Sequence, residues 1–183
     1  DVVPADGAVL VAYPFSGRPT EHRVRFAGGK WSQPVIMKDD WQIGGCPVNG
    51  PALASQGRRV ALAWFTAPAG KPAVRVAHSV DSGKTWSAPM TLSEGVPLGR
   101  VAAAITADGS THVLWLDHND GNGRLLTRRI APDGKMSAAQ VVTATKNDRN
   151  SGVPRLLADG KGLIYAWTEV LSDQTTRVKV GRR

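Results

Sequence analysis

The chain has little of what most recognisable sites are built from. It holds one cysteine, Cys46, and no apolar run approaching the roughly 18 residues that a membrane helix needs, so no membrane span is expected. One cysteine excludes an internal disulfide and says little about compartment. No histidine lies in an obvious partner motif, so Cys46 reads as a small core residue rather than a nucleophile. The four histidines, His22, His78, His112 and His118, form no metal-ligand spacing, and neither a metal nor a cofactor is expected. There is no Gly-x-Ser-x-Gly, Walker loop or cysteine-pair motif. No stretch carries a helical period. The net charge is +8 and the pI about 10.2, but the Lys and Arg residues are scattered and no nucleic-acid motif occurs, so no nucleic-acid partner is expected. The bland reading of that charge is a solvated basic surface. The sharper one is a groove for anions such as acidic glycans. The chain opens at Asp1 with neither Met nor a basic-then-apolar leader, which reads as a processed or trimmed product.

What is present is a repeat. At 183 residues and 42% apolar content the chain has enough for one domain with a core, and 20 Gly with 12 Pro favour many turns. Tyr13, Trp64, Trp115 and Trp167 end four similar alternating runs, spaced 51, 51 and 52 residues apart. A turn precedes each run, at Asp6-Gly7, Gln56-Gly57, Asp108-Gly109 and Asp159-Gly160. A strand-like period near 51 is that of a propeller blade of about four strands. The fold class is therefore all-β, a β-propeller with about three and a half four-stranded blades in a single domain over 1–183. The repeats run near 1–45, 46–97, 98–148 and 149–183. In the second repeat, strands are expected at Pro51 to Ser55, Val60 to Phe65, Val74 to Ser79 and Met90 to Leu92. Arg100 to Thr106 and Val153 to Ala158 restart the cycle. An open arc leaves unpaired edges and an uncovered blade face. The chain is thus expected to be part of a longer propeller, closed by remaining blades or by a second copy of itself.

Between the third and fourth strands of the second repeat lies Ser79-Val80-Asp81-Ser82-Gly83-Lys84-Thr85-Trp86, which reads S-x-D-x-G-x-T-W. Asp and Ser bond their local backbone, Gly accepts positive φ, and Thr-Trp suits a half-buried strand start. Gly29-Lys30-Trp31-Ser32 and Gly134-Lys135-Met136-Ser137 are degenerate copies. With Ser79, Asp81, Gly83, Thr85 and Trp86 all in place, the stretch resembles the Asp-box, or bacterial neuraminidase repeat, of sialidases and related propellers. The resemblance implies a six-bladed propeller, a structural role for the box on the outer side of the blade, and a secreted or periplasmic location. It covers nearly the whole chain for fold.

In propellers, ligands bind over the central channel, where two classes of loop converge. Loops entering the innermost strand are Gly44 to Pro51, Pro97 to Arg100 and Asn150 to Arg155. They give Asn49, Arg100 and Arg155 as ligand-binding candidates, the arginines able to fork onto a carboxylate. The alternative reading has each Arg bonded to backbone of the neighbouring blade. Loops joining the second and third strands are Phe15 to Thr20, Thr66 to Pro72, Asp117 to Gly123 and Thr168 to Asp173. Asp117 and Glu169 each follow an equivalent Trp by two residues and are the candidate catalytic acids. Asp117-x-Asn119-x-Gly121 alternates oxygen ligands but lacks the terminal Glu and flanking helices of a calcium loop, and reads as plain loop composition.

A sialidase of the resembling family uses an arginine triad, a Tyr nucleophile paired with a Glu, an Asp acid/base and an Arg-Ile-Pro motif in its first blade. No Arg-Ile-Pro occurs here, and Tyr13 and Tyr165 lie inside strand runs, where they read as packing. The leading expectation is a sialidase-like propeller that binds a glycan or other anionic ligand over the channel without its own catalytic set. The alternatives are an exo-sialidase whose acid lies in other blades, and a structural or protein-interaction propeller.

Overall fold

The computed structural model describes residues 1–5, 8–15, 21–28, 30–31, 35–38, 40–41, 49–173 and 175–183. Cys46, the Asp6-Gly7 turn, Gly29, Ser32 and most of the Gly44 to Pro51 and Phe15 to Thr20 loops lie outside them. The described residues form four antiparallel sheets, each built from consecutive strands. Blade 1 holds β1 (Val2–Ala5), β2 (Ala8–Phe15), β3 (Glu21–Gly28), β4 (Lys30–Trp31) and β5 (Val35–Lys38), the last two both pairing with β3. Blade 2 holds β6 (Ala52–Gln56), β7 (Arg59–Thr66), β8 (Ala73–Ser79) and β9 (Met90–Thr91). Blade 3 holds β10 (Pro97–Ile105), β11 (Thr111–Asn119), β12 (Asn122–Ile130) and β13 (Gln140–Thr145). Blade 4 holds β14 (Arg155–Ala158), β15 (Leu163–Val170) and β16 (Thr176–Arg182). Among the described residues no helix is long and apolar enough to cross a membrane.

The second strand of each blade is the reason the blades stack. Successive side chains of a strand point to opposite faces, so a strand between two neighbours buries both sets. In β7, Val60, Leu62 and Trp64 face blade 1 and cluster with Leu10 and Ala12. The intervening Ala61 and Ala63 face blade 3 and cluster with Ile105, Val113 and Trp115. All five β7 residues from Val60 to Trp64 are wholly inaccessible to solvent. The next seam repeats the arrangement: Leu114 and Leu116 of β11 pack against Leu163 and Tyr165 of β15, with Trp167 beside them. Fully burying such a side chain stabilises by about 1.5–3 kcal/mol, so the seams carry most of the cohesion between blades. On the far side of blade 4, Leu157, Val178 and Val180 remain exposed, at 58%, 72% and 68%.

The structure lengthens several expected strands at the expense of loops. The inner strand of blade 3 starts at Pro97 rather than Arg100. Asp117 to Gly123, expected as a loop, is a tight hairpin: β11 runs through Asn119 and β12 starts at Asn122. Only Asp120 and Gly121 form the turn, both at positive φ (45° and 81°), the backbone that matches the twist of a two-residue hairpin. Thr168 to Val170 likewise belongs to β15.

The Ser79–Trp86 turn is held by its own side chains. Gly83 N–H donates to Ser79 Oγ at 2.8 Å, and Ser79 Oγ–H to Asp81 Oδ1 at 2.7 Å. Thr85 donates from both its backbone N–H (2.9 Å) and its hydroxyl (2.6 Å) to the Asp81 carboxylate. These Thr85 bonds hold the Asp81 carboxyl far below the usual carboxylate range. Trp86 Nε1–H closes the turn on Gly83 O at 3.0 Å.

Candidate functional site

The inner strands β1, β6, β10 and β14 surround a cavity of about 440 Å³. Its wall includes all three candidate binding residues, Asn49, Arg100 and Arg155. They are held there in different ways.

Asn49 braces the start of β10. Its Oδ1 accepts from Arg100 N–H at 3.1 Å, and its Nδ2 donates to Leu98 O at 3.2 Å. Between those two points the strand bulges: the pairing with β11 slips on both sides of Gly99. Gly99 has φ of 90°, and a Cβ there would lie 2.6 Å from the Asn49 amide, so only glycine fits. Arg100 follows at φ 55°, a conformation uncommon outside glycine. The bulge turns the Arg100 side chain across the seam. Its Nη1 donates to Gly152 O at 2.9 Å and its Nη2 to Asp148 O at 2.8 Å. Burial lowers the Arg100 pKa from its ordinary value, with the Asp148 charge opposing. Asp148 itself starts the turn Arg149–Ser151, accepting from Asn150 N–H at 2.8 Å. Arg100 thus ties blade 3 to the segment entering blade 4, and its remaining N–H groups are left for other acceptors.

Arg155, on β14, is exposed and makes no hydrogen bond or ion pair among the described residues. Among the described residues the one acid in the cavity wall is Asp1. The Asp1 carboxylate is engaged by backbone, accepting from Val2 N–H at 3.0 Å and Leu53 N–H at 2.9 Å. The charge left free to meet a ligand is therefore positive.

The two candidate acids lie outside this wall. Asp117 has no exposed surface. Its Oδ2 accepts from Arg124 Nε at 3.1 Å and Nη2 at 2.9 Å, directly across the β11–β12 hairpin. Its Oδ1 is buried under Gly95 without a hydrogen-bond partner among the described residues. Glu169 is partly exposed and held by Arg177 and by Lys179 Nζ at 2.8 Å, both on β16. Hydrogen bonds from Lys179 and then Arg177 keep its carboxyl below the ordinary value. The structure does not bring Asp117 and Glu169 together with Arg155. Their cationic partners Arg124, Arg177 and Lys179 were not singled out from the sequence. Counting back from a two-residue turn at Asp120-Gly121 would have put Arg124 opposite Asp117. Among the described residues no cluster of His, Cys, Asp and Glu is suited to a metal ion.

This architecture is that of solved proteins. A protein of unknown function from Dyadobacter fermentans matches with a TM-score of 0.67 at 16% identity, over 97% of this chain and 51% of that one. A Hadza microbial sialidase matches with a TM-score of 0.60 at 16% identity, over 96% of this chain and 42% of the sialidase. A thermostable family-43 glycoside hydrolase matches with a TM-score of 0.61 at 8% identity, over 100% of this chain and 67% of that one. The fold is a sialidase-type propeller. At these identities the likeness is one of fold, and the chain spans about half, or less, of the first two of these proteins. No family model matches the sequence, and no curated protein does.

Proposed function

We propose that this propeller binds a glycan or other anionic ligand in its central channel, with Arg155 as the charged contact and Asn49 and Arg100 shaping the wall. The observation that carries the reading is an Arg155 guanidinium with no partner among the described residues, in a cavity whose one acid among those residues is already engaged. A guanidinium meets a carboxylate with two parallel hydrogen bonds, which suits a sialic acid or uronic acid headgroup. The likeness to sialidases and other glycoside hydrolases supports a sugar as the carrier of that anion. The bonding of Ser79, Asp81, Gly83, Thr85 and Trp86 supports their reading as a structural Asp-box. Asp117 and Glu169 are proposed as structural ion pairs rather than catalytic acids, since each carboxylate is committed to cations on the adjacent strand. The same reading places the protein outside the cytoplasm, secreted or periplasmic.

The test is calorimetric titration with 3′-sialyllactose. Arg155→Ala is expected to weaken binding on the order of tenfold, the worth of one charge-assisted contact, while leaving the fold intact. Binding unchanged by Arg155→Ala would remove the proposal. Arg100→Ala is a less clean variant because it also severs the bonds to Asp148 and Gly152. Turnover of a fluorogenic sialoside by the full-length product would replace the binding reading with an exo-sialidase. No sugar binding, together with a protein retained in a pull-down, would replace it with an interaction propeller. We further propose that the exposed Leu157, Val178 and Val180 face is covered by another blade, from the same chain or a second copy. Native mass by light scattering, set beside the denatured mass, separates those two.

A further inference from the structure

The two seams flanking blade 2 are built from equivalent positions and are not equally filled. Between blades 1 and 2, Leu10, Gly83 and Trp86 close the space. A Cβ on Gly83 would lie 2.9 Å from Leu10 Cδ2 and 3.5 Å from Trp86 Cζ2. One blade on, the two side chains that pack beside the glycine are smaller or turned outward. The 51-residue spacing of Tyr13 and Trp64 puts Ala61 at the Leu10 position. Gly134 stands for Gly83, and a Cβ there would meet nothing within 4 Å. Met136 stands for Trp86 and is 42% exposed. Beside Gly134, between blades 2 and 3, a groove of about 410 Å³ opens at the end away from Asn49 and Arg100.

Its surface has an uneven chemistry. Met90, Ile105 and Pro132 give it apolar walls. His78 and Thr111 satisfy each other, Nε2 to Oγ1 at 3.0 Å. Burial, and then the Arg59 charge, hold His78 below its ordinary pKa of 6.5, so it is mostly neutral at pH 7. Asp133 is taken by Lys135, whose Nζ lies at 3.0 Å and whose backbone N–H donates to it at 3.1 Å. Arg59 makes no hydrogen bond or ion pair among the described residues; its side chain lies over Gly109, with Nε 3.5 Å from where a Cβ would stand. One unpaired cation therefore stands over an apolar groove of the size that takes a small ligand.

We propose that the groove between blades 2 and 3 is a binding site for a small aromatic carboxylate, its ring seated against Met90 and Ile105 and its carboxylate on Arg59. The ring follows from the neighbouring seam, where the chain's own indole fills the space beside Gly83. The carboxylate follows from Arg59, the free charge at the rim. The groove and the channel share no lining residue among those described.

The probe is indole-3-acetate, titrated into the full chain and followed by calorimetry and by methyl NMR of Met90 and Ile105. Saturable binding with shifts at those methyls is expected. Arg59→Gln should weaken indole-3-acetate at least fivefold and leave indole itself unchanged, which separates charge recognition from ring burial. Ala88→Trp, at an exposed position in the groove wall, should block both probes. Near-UV circular dichroism checks that both variants fold. No saturable binding, binding indifferent to both substitutions, or shifts confined to channel residues would each overturn the proposal. Sialyllactose binding by Ala88→Trp reads the channel separately, so failure at one site is not mistaken for failure at the other.

Discussion

Asp117 and Glu169 occupy the same place in successive blades, two residues after an interface Trp and across a hairpin from an Arg. The sequence alone gives them the same standing. In the structure they differ in solvent access. Asp117 lies under Gly95, sealed by the loop leading from blade 2, with a single partner and one oxygen unpaired. Glu169 stays partly in water and collects two cations. Burial raises the cost of leaving a charge unpaired, whereas an exposed pair is screened and exchanges readily with water. Equivalent positions in a repeat therefore share geometry without sharing energetics.

The largest effect that tests this contrast is expected from Asp117→Ala. It strips Arg124 of its buried partner and should cost about 2 kcal/mol of unfolding free energy in urea. A loss no greater than that of Glu169→Ala would break the comparison. Gly95→Ala comes next. The new Cβ would stand 3.0 Å from Asp117 Oδ2 and 3.1 Å from Oδ1, and the crowding should cost about 1 kcal/mol. Combining it with Asp117→Ala should remove most of that penalty; simple additivity would place the strain elsewhere.

A smaller effect comes from the half-buried histidines. Burial lowers the pKa values of His78 and His112 below 6.5, with Arg59 and Arg129 respectively adding to the shift. An unfolded histidine takes up its proton at higher pH than these do. Stability is therefore full above about pH 6.5 and falls as pH drops toward the folded values. His78→Gln should flatten the decline measured by thermal melts from pH 7.5 to 5; an unchanged slope would sink the assignment. Smallest is Glu169→Gln. The folded pKa of Glu169 is depressed, so its contribution is present above its ordinary 4.5 and is lost as pH falls through the folded value. Its melting shift at pH 7 should be slight and should fade in 0.5 M NaCl, while that of Asp117→Ala persists.

The fold was legible because its repeat is written in large residues. Trp64, Trp115 and Trp167 mark the second strands, and glycines at fixed offsets mark the turns before them. The hairpin at Asp120-Gly121 was less legible, because Asp117-His118-Asn119-Asp120 has the composition of a loop while the backbone follows the register set by β11 and β12. The site was legible in its membership and not in its bonding. Arg100 reaches Asp148 and Gly152, residues that become neighbours only once two blades have packed. The groove beside Gly134 was invisible for a related reason: a degenerate box reads as a weaker copy of a motif, and the space left by a missing ring appears only when the seams are assembled.

The Ser79–Trp86 turn carries one further consequence. Its side-chain bonds span no more than four residues, so closing it costs little chain entropy. The seams join residues about fifty positions apart and must wait for whole blades. Folding should then proceed blade by blade, each hairpin set forming locally before the stack zips together. In that order, the turn acts as a nucleation point that fixes the outer edge of blade 2 before either neighbour arrives.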